Sequence, residues 1–144
     1  MKAVFIHLSD IHFGQEKDGG TGAINKDAKE RLIDDARAEI VKLGAEASGL
    51  IVTGDIAYSG KEHEYRVAAE WLGRLADAVG CKRVSVQMIP GNHDIDRDKI
   101  TTALKVVLEA IRDGGHAVLD PMLDSQDDRD LLYGRFDAYK DFAR

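Results

Sequence analysis

The stretch "LIVTGDIAYSG", Leu50 to Gly60, sets a short β-branched run against a glycine and then a carboxylate. Leu50 to Thr53 is brief, apolar and closed by Gly54, which is how a buried strand reads. On its N-terminal side Ala28, Leu32, Ile33, Ala36, Ile40 and Leu43 recur at three- and four-residue steps before Gly44. That spacing predicts an amphipathic helix over Ala28–Leu43 with a glycine C-cap. On its C-terminal side Tyr65, Ala68, Ala69, Leu72, Leu75, Ala76 and Val79 repeat the pattern until Gly80, predicting a second helix. Lys2–Leu8 and Arg83–Ile89 read as two further strands. Strand, helix, strand, helix, strand implies right-handed βαβ crossovers, hence an α/β fold with a layered, parallel-rich sheet and flanking helices.

Beyond Asp98 a third helical pattern runs through Ile100, Leu104, Val107, Leu108 and Ile111 and stops at Gly114 and Gly115. The acidic link "LDSQDDRD" (123–130) reads as a solvated loop, since it lacks the ligand spacing and closing Glu of a calcium loop. A last periodic run follows at Leu131, Leu132, Phe136, Tyr139 and Phe142.

The chain has 144 residues, enough for one domain and a real core, with 44% hydrophobic and 32% charged residues. A net charge of −6 argues against binding nucleic acid through a broad basic surface, although bound cations invert such a field locally. The single cysteine, Cys81, forms no internal disulfide, and no C-x-x-C pair offers a thiolate zinc site, so a reducing, cytoplasmic compartment is expected. Ser9, Asp10 and His12 break the opening apolar run before a signal-peptide core develops. No run approaches the roughly 18 apolar residues needed to span a bilayer, so no membrane partner is expected.

In open parallel sheets, ligands gather at the carboxyl ends of the strands. The residues after each predicted strand are therefore the ones to read. The first is followed by "SDIHFG", with Asp10 and His12; the second by "GDIAYSG", with Asp55; the third by "PGNHD", with Asn92, His93 and Asp94. Asp10 and His12 are two apart, so in extended backbone both lean toward one ion. Asp55 has two carboxylate oxygens with which to bridge a pair of ions, and Asn92 adds a neutral amide oxygen. Gly54 and Gly91 permit the tight turns that bring these groups inward. Mixed carboxylate, amide and imidazole donors suit Mn, Fe, Zn or similar divalent ions. Two such ions would activate a bridging hydroxide and clamp phosphate oxygens, which proposes phosphoester hydrolysis.

The blocks "DIH", "GDIAYSG" and "GNHD", in that order over Val4 to Asp94, resemble the first three blocks of the calcineurin-like metallophosphoesterases. The resemblance implies two divalent metal ions, with Mn favoured over Fe, Zn or Ni. It gives Asp10 and His12 to one metal, makes Asp55 the bridge, gives Asn92 to the other metal and sets His93 against the substrate. His93 would then stabilise the transition state or assist the leaving group, with Asp94 holding its ring in orientation. The implied substrate is a phosphodiester or phosphomonoester, with nucleotides or nucleic acids as its source.

The family's later metal-binding His and its Gly-His-x-His block are not visible, and His116, after two glycines, reads as a surface residue. Residues 1–144 are accordingly expected to be a single domain incomplete at its C-terminus, the N-terminal half of a metallophosphoesterase-type β-sandwich. The missing C-terminal part or another chain would complete the sheet and site. The alternative is a degenerate, non-catalytic domain serving as a binding or assembly module.

Among the remaining residues, His7 reads as packed within the first strand, His63 as solvent-exposed, Trp71 as partly buried packing and Cys81 as inert. Lys61, Arg66 and Arg74 are too scattered for a phosphate track. Tyr58 and Ser59 stay open between lining the cleft and shaping the loop. The glycine-rich insertion between Gly14 and Asn25 is expected to flank the cleft.

Overall fold

Three short parallel strands, β1 (Phe5–Leu8), β2 (Gly49–Thr53) and β3 (Val86–Ile89), form one sheet in the order β1-β2-β3. This is a computed structural model, which describes residues 3–15 and 22–144. Helix α1 (Gly22–Leu43) joins β1 to β2, and α2 (Glu62–Ala78) joins β2 to β3. Parallel register sets Ile6, Leu50 and Val86 side by side, and likewise Leu8, Val52 and Met88. Alternation along the strands puts both rows on one face. Against that face pack Ile33 and Ile40 of α1 and Ala68, Leu72, Leu75 and Ala76 of α2.

The opposite face of the sheet carries Phe5, His7, Ile51, Gln87 and Ile89, all exposed. Phe5 keeps 56% and Ile89 59% of their surface in water, so the described residues lay no helix over this side. The parallel α/β layer is as expected, with its helices on one face only. His7, expected to be packed, stands on the open face and shares a 2.7 Å hydrogen bond with the Thr53 hydroxyl.

Two element boundaries differ from the sequence reading. Arg83–Ser85 forms a turn of 3-10 helix, so β3 starts at Val86. Helix α1 starts at Gly22, ahead of the predicted Ala28, so part of the glycine-rich insertion is helical; its residues 16–21 lie outside the described residues.

Four helices follow β3: α3 (Thr102–Gly114), α4 (His116–Asp124), α5 (Gln126–Tyr133) and α6 (Asp137–Phe142). The Thr101 hydroxyl accepts from the Leu104 amide and caps α3. The acidic link is not a loop. The Ser125 hydroxyl accepts from the Asp128 amide, and Asp127 and Asp128 fill the first turn of α5, where the helix dipole favours carboxylates. Helix α6 returns to the core: Phe142 stacks on Tyr65 at 5.0 Å, and the Tyr139 hydroxyl donates to the Met88 carbonyl at 3.1 Å. Among the described residues no helix is long and apolar enough to cross a membrane.

Candidate metal centre

Beyond their last paired residues, the chains leaving β1 and β2 stay side by side. The Asp10 amide donates to the Gly54 carbonyl, His12 to Asp55, and Phe13 to Ile56, at 3.3, 3.0 and 2.8 Å. Tyr58 closes the ladder by donating to the Phe13 carbonyl at 3.0 Å. The backbone is not extended here, contrary to the reading that let Asp10 and His12 lean together from a strand. Asp10, His12 and Asp55 have φ values of 56°, 51° and 51°, and they are the non-glycine residues at positive φ among the described residues. A left-handed backbone costs an L-residue of order 1 kcal/mol or more and persists where the surroundings impose it, which happens most at functional sites.

The loop after β3 closes on this pair. At Gly91 a Cβ would lie 2.2 Å from Asp55 Oδ1 and 2.5 Å from its amide, so only glycine fits beside that carboxylate. The His93 amide donates to the same oxygen, Asp55 Oδ1, at 2.9 Å and fixes the carboxylate. One ligand atom each from His12, Asp55 and His93 lies within 4.8 Å of the others. Asp10 is adjacent, with an oxygen 4.0 Å from His12 Nε2 and a side chain 69% exposed. Asn92 is exposed on the same loop. The rings of His12 and His93 meet edge to face at 4.7 Å.

A divalent cation suits this donor set. The His12 imidazole and the Asp55 carboxylate, with the Asp10 carboxylate close by, match the borderline metals. His12 Nδ1 is buried with no hydrogen-bond partner, a state that ordinarily costs about 1–3 kcal/mol and that a ligand relieves.

Asp94 departs from its expected role. Its side chain is fully buried, and the carboxylate takes four donors from three segments. Oδ1 accepts from the Ala57 amide at 2.8 Å and the Tyr65 hydroxyl at 2.9 Å. Oδ2 accepts from the Ile56 amide at 3.2 Å and the Gly91 amide at 2.8 Å. Asp94 therefore pins the loops after β2 and β3 together and does not hold the His93 ring. The ring nitrogen Nδ1 of His93 lies 2.8 Å from the Tyr58 carbonyl instead. The phenol of Tyr65 is held far above its ordinary pKa, first by burial and then by the Asp94 charge.

Glu64 and Tyr65 escaped the sequence reading as site-shaping residues. Buried Glu64 accepts from the Ser59 amide and hydroxyl at 3.0 and 2.8 Å and from the Lys61 amide at 2.9 Å, locking the turn that follows Tyr58. The signal was present: an acid at the third position of a helix commonly reaches back to its N-terminal amides. His116 is 93% exposed and opens α4, and His63 is exposed as expected. Trp71 is buried and donates to the Lys29 carbonyl at 3.2 Å, while Cys81 is a buried free thiol. Lys61 pairs with Asp96 and Asp98, and Arg74 with Glu30.

A family model described as calcineurin-like phosphoesterase matches residues 3–139 of the chain. An uncharacterized metallophosphoesterase-like protein, YydB of Bacillus subtilis (strain 168), is 30% identical over 99% of the chain. A glycerophosphodiester phosphodiesterase, GpdQ of Enterobacter lignolyticus (strain SCF1), is 33% identical over 61% of it. Each alignment spans 28% of the relative's own length.

Proposed function

Since the chain belongs to the calcineurin-like phosphoesterase family, we propose that it carries the first metal-binding loops of a dinuclear, metal-dependent phosphodiesterase. The observation that supports this most is the strained backbone at Asp10, His12 and Asp55, on loops that also bring His12, Asp55 and His93 within ligand distance of one another.

In this reading Asp10, His12, Asp55 and Asn92 hold two divalent cations, with manganese first in preference. When bound, the cations supply an activated water near neutral pH and neutralise charge on the phosphate. The chain's own work is positioning. Gly91 lets the third loop approach closely enough for the His93 amide to fix one Asp55 oxygen, which orients the carboxylate before any ligand arrives. His93, beside that carboxylate, is set to hydrogen-bond a phosphate oxygen or to give a proton to the leaving oxygen. Asp94, out of reach of substrate, keeps the two loops in register.

A diester, of nucleotide or nucleic-acid origin, is preferred over a monoester, in line with the likeness to the glycerophosphodiester phosphodiesterase. The open face of the sheet supports a further layer packing there, so that residues 1–144 form part of a larger domain. A buried free thiol suits a cytoplasmic location.

The test is hydrolysis of aryl phosphodiesters and monoesters by the full-length protein with added manganese. Activity lost in Asp55→Asn and His93→Ala supports the enzyme. A folded full-length protein that turns over neither substrate supports the non-catalytic alternative.

A further inference from the structure

His93 is the one candidate catalytic side chain whose orientation the expected partner, Asp94, does not explain. Two contacts on its ring come from a single residue. Nδ1 lies 2.8 Å from the Tyr58 carbonyl, and the Tyr58 ring lies nearly parallel to the imidazole, at 5.6 Å between centroids and 23° between planes. The Tyr58 ring also meets His12 edge-on at 6.2 Å. A carbonyl oxygen only accepts, so Nδ1 must carry the proton. Nε2 is then the atom left to face the site. A neutral imidazole whose other nitrogen donates to a carbonyl has its tautomer and ring plane fixed by that bond.

The carbonyl is itself held firmly. The Tyr58 amide donates to Phe13, and the next residue, Ser59, is bonded through both amide and hydroxyl to buried Glu64. At Gly60, φ is 68° and a Cβ would lie 2.6 Å from the Asp96 amide and the Ile95 carbonyl carbon. The turn carrying Tyr58 is thereby wedged against the loop carrying His93.

We infer that Tyr58 is a positioning residue for His93: its carbonyl binds Nδ1–H, so that Nε2 is the nitrogen that faces the phosphate and through which a proton enters and leaves the ring, and its ring fixes the imidazole plane. The inference rests on the phosphodiesterase reading for its catalytic consequence and on geometry alone for the tautomer. The phenol hydroxyl has no part in it.

Two measurements on the full-length protein test this. Long-range proton–nitrogen NMR spectra, with the His93 signal assigned by its disappearance in His93→Gln, should show Nδ1 protonated and Nε2 unprotonated in the neutral ring. The opposite tautomer, or an even mixture, overturns the assignment even if the protein hydrolyses nothing, so this arm is independent of the function. In the kinetic arm Tyr58→Ala, which keeps the carbonyl and loses the ring, should lower kcat roughly tenfold with KM and manganese affinity within about twofold. Tyr58→Phe, which restores the ring, should recover most of that loss. An unchanged kcat in Tyr58→Ala, a loss carried by KM instead, or a Tyr58→Phe variant as impaired as Tyr58→Ala would each overturn the role given to the ring. Absence of all phosphoester hydrolysis in the parent protein removes the catalytic consequence and returns the decision to the tautomer measurement.

Discussion

Replacing Asp94 by Asn changes one atom of a buried carboxylate, and the structure fixes what that costs. Each carboxylate oxygen accepts two hydrogen bonds, Oδ1 from Ala57 and Tyr65 and Oδ2 from Ile56 and Gly91. Asparagine offers a single acceptor oxygen, and the better flip turns its NH2 toward the Ala57 amide and the Tyr65 hydroxyl, which can accept from it and donate to the Asp94 carbonyl at 3.2 Å instead. The Ala57 amide loses a charged acceptor, at about 1.5–3 kcal/mol, and the Ile56 and Gly91 bonds, now to a neutral oxygen, each weaken by about 1 kcal/mol. The expected destabilisation is therefore about 3–5 kcal/mol, with the upper end reached because the Ala57 amide is left unpaired in a site closed to water. Against a typical total of about 5–15 kcal/mol, that brings the protein near its unfolding threshold. Urea denaturation followed by circular dichroism gives the midpoint and slope; the midpoint should fall sharply with the slope unchanged. A loss below about 1 kcal/mol would refute the claim that Asp94 staples the loops.

Three further outcomes follow from the same geometry. Gly91→Ala must push the Asp55 carboxylate or its own loop aside; manganese affinity measured by calorimetry should fall about 10–100-fold, as when a metal ligand's support is removed. Tyr65 keeps its proton more tightly when folded than when unfolded, because burial and the Asp94 charge oppose the phenolate. Its contribution is thus fully present below pH about 10 and is lost as pH rises beyond that, so Tyr65→Phe should flatten the alkaline limb of the stability profile. Asp137 shows the opposite sign: Lys140 first, and Lys99 next, hold its carboxyl below the usual carboxylate range. Its contribution is present above pH about 4 and fades as pH falls through the lowered value, so the gap between the parent and Asp137→Asn, at most about 1 kcal/mol for so exposed a pair, should close in acid.

The parts of the fold legible in sequence were those set by periodicity. The strand at Leu50 to Thr53 and the helix patterns beside it gave the parallel order, because three- and four-residue spacing admits one packing face. The burial of that sheet on a single face was not legible, since Phe5, Ile51 and Ile89 are as apolar as residues that face a core. The acidic link was misread for a different reason. Lacking a calcium loop's ligand spacing it read as a solvated loop, but the Ser125 hydroxyl accepts from the Asp128 amide and the carboxylates of the first turn suit the positive end of the helix dipole, so the link is helical.

At the site, residue types at strand ends pointed to Asp10, His12, Asp55, Asn92 and His93, and of these the structure brings His12, Asp55 and His93 within 4.8 Å of one another, with Asp10 beside His12. The backbone there was beyond sequence reasoning: Asp and His visit the left-handed region more readily than most residues, but the neighbouring loops decide which of them do so. Asp94 illustrates the limit most clearly: its neighbour in sequence is His93, but its partners in space are three amides and a phenol.

The central claim is that side chains far apart in sequence share bound cations. Calorimetric titration of the full-length protein with manganese, repeated on His12→Ala and Asp55→Asn, tests it most directly. The account predicts binding by the parent protein and a loss of at least tenfold in affinity in each variant, with folding intact by circular dichroism. A folded parent that takes up no divalent cation, or variants that bind as tightly as the parent, would contradict it.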